Sequence, residues 1–140
     1  MREGGCLCGA VRVRAEVGSG IQACHCSQCQ RWTGGGPLWS VRVADLVVAG
    51  EDAVRTFRMS EWGERAFCGT CGSTLWWRMR GKSIAYVTTG LLDDQSGLTV
   101  DQEIFVDHRP GWLPPFAGAS QSTEAEEMVA LAKHLEGERP

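Results

Sequence analysis

Seven cysteines in a chain of 140 residues fall into three tight groups: Cys6-Leu7-Cys8, Cys24-His25-Cys26-Ser27-Gln28-Cys29 and Cys68-Gly69-Thr70-Cys71. No other feature of the sequence restricts the possible folds so strongly. A Cys-x-Cys pair closes a disulfide only through a small strained ring, but its two sulfurs can grip one ion. A Cys-x-x-Cys turn grips an ion with less strain and directs backbone N–H groups at the sulfurs. Gly9 and Gly72 follow two of these pairs, where a tight left-handed turn favours a residue without Cβ. An odd number of cysteines cannot pair fully. The start, Met1-Arg2-Glu3-Gly4-Gly5, has no apolar export segment, so a cytoplasmic, reducing setting is expected. There, clustered cysteines indicate metal or redox chemistry more often than disulfides. Zinc is the default ion for four thiolates, tetrahedral and about 2.3 Å from each sulfur.

Spacing also suggests how the sulfurs divide. Cys24, Cys26 and Cys29 lie close enough along the chain to cap one ion from one side without a ligand from elsewhere. The remaining pairs, Cys6/Cys8 and Cys68/Cys71, then have each other. They would form a closed four-cysteine site that ties distant parts of the chain together and contributes directly to folding. Two zinc ions per chain are expected, one structural and one with an open position. Three thiolates make an ion a weak Lewis acid but leave room for an incoming small thiol. A thiol bound there would ionise and could attack an aldehyde. Other readings remain open at this point. His25, His108 or His134 could close the second site, although His25 sits between two ligands with its side chain expected to point away. Cys26 and Cys29 could instead exchange as a redox pair.

The rest of the chain reads as mainly β. Residues 10–17 alternate apolar and polar, and similar runs recur near 38–49, 53–59, 64–68, 74–79, 83–90 and 102–107. Gly-rich turns separate them, which suggests short antiparallel strands. A single C-terminal helix is expected over about 123–136, begun by a Thr123/Glu126 capping box and ended near Gly137. Ala125, Met128, Val129, Ala132 and Leu135 would form its packing face. The length suits one domain over 1–140, with a core of about 2–116. No run approaches the roughly 20 apolar residues of a membrane helix. A net charge of −3 argues against a nucleic-acid partner.

Three segments together resemble one family. They are Gly4-Gly5-Cys6-Leu7-Cys8-Gly9-Ala10-Val11-Arg12, Cys24-His25-Cys26-Ser27-Gln28-Cys29-Gln30-Arg31 and Phe67-Cys68-Gly69-Thr70-Cys71-Gly72-Ser73-Thr74-Leu75. They look like the glutathione-dependent formaldehyde-activating enzyme family, which includes centromere protein V. The resemblance covers roughly 2–116, and Ile104 to Trp112 is similar to the family's late strand and Arg-Pro-x-Trp turn. It implies a β-tent, in which small antiparallel sheets are pinned by zinc. It also implies a structural zinc on Cys6, Cys8, Cys68 and Cys71 and a catalytic zinc on Cys24, Cys26 and Cys29. The implied activity joins glutathione to formaldehyde, formally a carbon–sulfur lyase running in reverse.

Arg31, Trp32 and Trp112 are candidates for lining the open zinc face, since an Arg fork suits a carboxylate and Trp offers an apolar wall. Alternatively, Trp112 is a core anchor and Arg31 a solvated charge. Trp39, Trp62, Trp76 and Trp77 read as core or sheet surface. A different class of function is a non-catalytic interaction module with both zinc sites structural. Methionine sulfoxide reduction would need a reactive cysteine beyond the metal ligands, and none is left over. No oligomeric state is implied.

Overall fold

The computed structural model describes residues 1–136. They contain nine β-strands, two α-helices and three short 3-10 turns. The chain divides into two compact units, one of Met1–Ile21 with Trp39–Thr99, the other of Gln22–Leu38 with Val100 onward.

The first unit carries β1 (Arg2–Gly5), most of β2 (Arg12–Cys24) and β3 (Leu38–Ala49), and all of β4 (Val54–Phe57), β5 (Gly63–Cys68), β6 (Thr74–Met79) and β7 (Ala85–Thr88). Their order is β4-β5-β6-β7-β3-β2, with β1 also on β2. The β1–β2, β3–β7, β4–β5, β5–β6 and β6–β7 pairs are all antiparallel. Alternation sets the buried face, because successive side chains of a strand point to opposite sides. Val13 and Ala15 therefore face inward while Arg12 and Arg14 face out. Val11, Val41, Val43, Leu75, Trp76 and Val87 join them in one core, which also takes in Cys6 and Cys68. The β5–β6 register slips between Ala66 and Phe67, just before Cys68, and a bulge of this kind re-aims the side chains that follow.

β1 has no alternating pattern and was not expected. Its Gly4 allows close approach of another backbone, since a Cβ there would stand 2.1 Å from the Leu91 carbonyl oxygen.

The second unit holds α1 (Ser27–Thr33), β8 (Thr99–Ile104, entered from the first unit), β9 (Ser120–Ser122) and α2 (Glu124–Glu136). β8 and β9 run parallel, Gln102 opposite Ser120 and Ile104 opposite Ser122. The fold is mainly β as expected, and this parallel pair is an exception to its antiparallel pairings. The long 105–119 connection permits the crossover that parallel pairing requires. Cys24, Cys29, Leu38 and Ile104 form a small core, with Cys26, Trp32 and Phe105 packed against it. Three of these seven are cysteines, so this unit's interior is built largely around sulfur.

α2 starts as expected. Thr123 Oγ1 accepts from Glu126 N at 3.2 Å, and Glu126 Oε1 accepts from Thr123 N at 3.1 Å, which is the reciprocal capping box. Its packing face differs from expectation. Met128 is 40% and Val129 57% exposed, and the half-buried stripe is Glu127, Leu131 and Leu135. Those positions are spaced four apart, a narrow contact that a small unit can cover. The stop expected at Gly137 lies outside the described residues. Because no α2 residue is fully buried, Thr123→Ala should act locally. The lost cap is worth about 1 kcal/mol, so α2 amides should exchange hydrogen about fivefold faster with little change in Tm. An unchanged exchange rate would show that the cap contributes nothing.

Candidate metal centres

The first centre lies in the first unit. Cys6 and Cys8 follow β1 on a tight turn, and Cys68 ends β5 and opens another that carries Cys71. Each turn is closed by a backbone bond back to its first cysteine, Gly9 N to Cys6 O at 3.1 Å and Gly72 N to Cys68 O at 2.8 Å. Gly9 and Gly72 have φ of +81° and +79°, the left-handed region that side chains avoid. All four sulfurs lie within 4.8 Å of one another. The Cys6–Cys8 and Cys8–Cys68 sulfur distances are 3.6 and 3.9 Å. A tetrahedral ion about 2.3 Å from each sulfur sets edges of about 3.8 Å, so the donor set fits zinc.

Two groups steady these sulfurs. Val11 N donates to Cys6 Sγ at 3.3 Å. Ser73 Oγ accepts from Leu7 N at 3.0 Å and contacts Cys71 Sγ at 3.2 Å, which joins the two turns. The thiols also show why a cation suits them. Hydrogen bonds from the Ser73 hydroxyl, then its backbone N–H, pull Cys71 down to about 5. The Ala10 N–H favours ionised Cys8, but burial and the Cys6, Cys71 and Cys68 sulfurs outweigh it and push Cys8 up to about 11. Packed thiols resist ionising together, and a divalent cation removes that conflict.

The second centre lies in the second unit. Cys24 ends β2, Cys26 caps α1 and Cys29 sits in the first turn of α1, with the three sulfurs again within 4.8 Å. Cys26 Sγ accepts from Cys29 N at 3.3 Å, the role a Ser or Asp side chain usually plays at an N-cap. α1 ends at Gly34 in the left-handed conformation. Cys24 and Cys29 are buried and Cys26 is half-buried. The adjacent Cys26 and Cys29 thiols, and then burial, push Cys24 well above an ordinary thiol.

No histidine joins this cluster among the described residues. The His25 ring is fully buried and turns away, placing Nε2 2.8 Å from Glu103 Oε1. His108 Nε2 instead meets Glu124 Oε2 at 2.9 Å, while Glu124 N donates to Asp107 Oδ1 at 3.0 Å. These exposed contacts fasten the start of α2. His134 lies on the exposed part of α2. No disulfide forms among the seven cysteines.

The other candidates are dispersed in character. Trp32 packs against the Cys24/Cys29 core, and Arg31 is exposed on the same helix. Trp112 is 73% exposed, which rules out a core anchor. Trp76 is buried, while Trp77 meets Trp62 edge-to-face and Tyr86 at a tilt.

Sequence reasoning missed Ser73, Gln30 and Glu103. Gln30 Nε2 donates to the His25 carbonyl at 2.7 Å and to the His108 carbonyl at 2.9 Å. Glu103 is fully buried. Burial alone would raise its pKa, yet donors from Gln121, His25 and Phe116, with the Arg109 charge, hold it at about 2. Ser73 had a local signal in its place after Cys-Gly. Gln30 had one too, next to Cys29, and nothing nearby in sequence marks Glu103.

Fold and sites together define a small, mainly β protein with two cysteine clusters suited to metal. The chain belongs to the glutathione-dependent formaldehyde-activating enzyme family, whose pattern matches residues 1–108. An uncharacterized lyase of Schizosaccharomyces pombe is 26% identical over 133 residues, covering 94% of this chain and 97% of that protein. A Halomonas elongata protein, provisionally named a glutathione-dependent formaldehyde-activating enzyme, is 28% identical over 123 residues, 79% of this chain and 78% of that one. The crystal structure of a Rhodobacter sphaeroides protein matches with a TM-score of 0.57 at 22% identity, over 86% of this chain and 99% of that one. No helix among the described residues is long and apolar enough to cross a membrane.

Proposed function

We propose that this chain joins a small thiol of the glutathione kind to an aldehyde of the formaldehyde kind, at a zinc ion held by Cys24, Cys26 and Cys29. A second zinc, on Cys6, Cys8, Cys68 and Cys71, serves the fold. The observation that carries this reading is the gathering of three sulfurs while His25, the nearest possible fourth ligand, is turned away onto Glu103. Structural zinc sites are ordinarily closed by four protein ligands, and three leave a position for substrate. Family membership and the names of the two relatives support the same chemistry.

When bound, zinc at such a site makes a fourth, incoming thiol acidic enough to act as a thiolate near neutral pH. The protein's own part is to hold three sulfurs on one side and leave the other side to the substrate. Half-buried Cys26 marks the edge reached from solvent. Trp32 offers an apolar wall beside the cluster, and Arg31 and Trp112 are proposed to contact the thiol carrier. In the reaction the substrate sulfur bonds to the carbonyl carbon. The C=O π pair moves to oxygen, and the thiol's proton ends there. No oxidant or reductant is consumed.

The test is exchange NMR on zinc-loaded protein with glutathione and formaldehyde. Exchange between free and adduct methylene should run faster than in buffer alone. No acceleration with any of several thiols would sink the enzyme reading. A metal-edge spectrum that ignores added thiol would then favour the interaction module.

A further inference from the structure

We propose that Glu103 is the positioning residue of the three-cysteine site, joining the ligand loop to the Arg109–Phe116 segment through one buried carboxylate. The inference deepens the proposed function and rests on reading Cys24, Cys26 and Cys29 as a metal site. Residue 25 lies between two of the three sulfurs and is anchored three times. Its N–H donates to Ile104 O at 3.0 Å, its carbonyl accepts from Gln30 Nε2 at 2.7 Å, and its ring Nε2 meets Glu103 Oε1 at 2.8 Å. In extended backbone, neighbours alternate sides. Fixing the His25 ring toward Glu103 therefore turns Cys24 and Cys26 the other way, together.

The same carboxylate reaches further. Arg109 lies 3.4 Å from Oε1, while Oε2 accepts from Phe116 N at 2.9 Å and Gln121 Nε2 at 2.5 Å. Arg109 also donates to Gln121 Oε1. Between Arg109 and Phe116 lies exposed Trp112. A fully buried charge is costly unless every acceptor direction is met. An ionised carboxylate has about four such directions, and here His25, Phe116 and Gln121 meet three of them, with the Arg109 charge beside them. An apolar residue could fill this space at less cost. What the carboxylate adds is a fixed geometry between two segments flanking the proposed substrate position. Glu103→Gln is therefore a sharp probe. Either way the amide loses the ion pair with Arg109: with its NH₂ toward His25 it needs the ring's other tautomer, and with its NH₂ toward Phe116 it meets two donors.

The experiment compares zinc-loaded wild type, Glu103→Gln and His25→Leu by graded chelator competition and by hydrogen exchange. In the variants, zinc at the three-cysteine site should be released at roughly tenfold lower chelator concentration, the scale of outer-shell effects on metal affinity. Release from the four-cysteine site should not change. Exchange should rise at residues 24–30 in both variants, and at 105–116 in Glu103→Gln alone if the amide frees that side. A folded Glu103→Gln protein with unchanged release and unchanged exchange overturns the proposal. Should Glu103→Gln fail to fold, His25→Leu decides: earlier release supports the proposal and unchanged release overturns it. If wild type retains only the four-cysteine ion, the metal reading of the second site fails. Hydrogen exchange then judges Glu103 separately, loosening supporting it and no change overturning it.

Discussion

Cys68→Ser is expected to leave the protein unfolded at ordinary temperature. Cys68 is fully buried and belongs to the main core with Val11, Leu75 and Val87. Its backbone closes the second turn, donating to Ser73 O at 2.9 Å and accepting from Gly72 N at 2.8 Å. Its sulfur stands 3.9 Å from that of Cys8, across a sequence separation of 60 residues. An ion shared by these turns would restrain a long loop, and structural zinc is worth about 10–16 kcal/mol at neutral pH. The net stability of a domain is only about 5–15 kcal/mol. Losing one of four ligands therefore removes a quantity comparable with the whole margin, and the replacement hydroxyl is left in an apolar interior. Circular dichroism with thermal unfolding decides the matter. Wild type should melt cooperatively and lose that transition in strong chelator, and Cys68→Ser should show no transition at all. A variant melting at the wild-type temperature would mean that this cluster does not hold the fold.

The features that could be read from sequence are those whose cause is local. Cysteine pairs two or three residues apart declare themselves, as do Gly9 and Gly72 behind them. β3 at Leu38–Ala49 and β6 at Thr74–Met79 fall where alternation and β-branched content put them. The Thr123/Glu126 capping box is equally short in range. What escaped depends on partners far along the chain. β1 is a strand because Gly4 and Gly5 lie against β2, not because Arg-Glu-Gly-Gly favours extension. α1 has only 7 residues and a sulfur for an N-cap, so neither length nor capping residue announces it. β9 pairs with β8 across a connection whose course is tertiary. The exposed Met128 and Val129 show that helical spacing fixes a face but not what covers it. Glu103 is the clearest case. An acidic residue near the end of a strand ordinarily faces water, and only the arrival of His25, Arg109, Phe116 and Gln121 makes it interior.

Cys26→Ser is expected to abolish the thiol–aldehyde reaction while leaving the fold intact. The two halves of that expectation have separate causes. Cys26 is the N-cap of α1, where its Sγ accepts from Cys29 N. Serine is among the preferred residues at that position, so the helix should still start there and Cys29 should keep its place. Cys26 is also half-buried rather than sealed in the core, so a smaller hydroxyl leaves no large cavity. A neutral hydroxyl, however, is a far poorer zinc ligand than a thiolate. A site with three ligands has none to spare. Zinc content should fall from about two ions per chain to about one, with the circular dichroism spectrum and melting transition retained. Adduct exchange should drop by at least about 100-fold, beyond what loss of an outer-shell contact causes. Measuring zinc content, melting and exchange on one preparation separates the possible failures. Full activity with the ion lost would move the chemistry away from Cys24, Cys26 and Cys29. Loss of the melting transition would instead mean that the sulfur at the head of α1 holds the fold, as Cys68 is expected to do in the other unit.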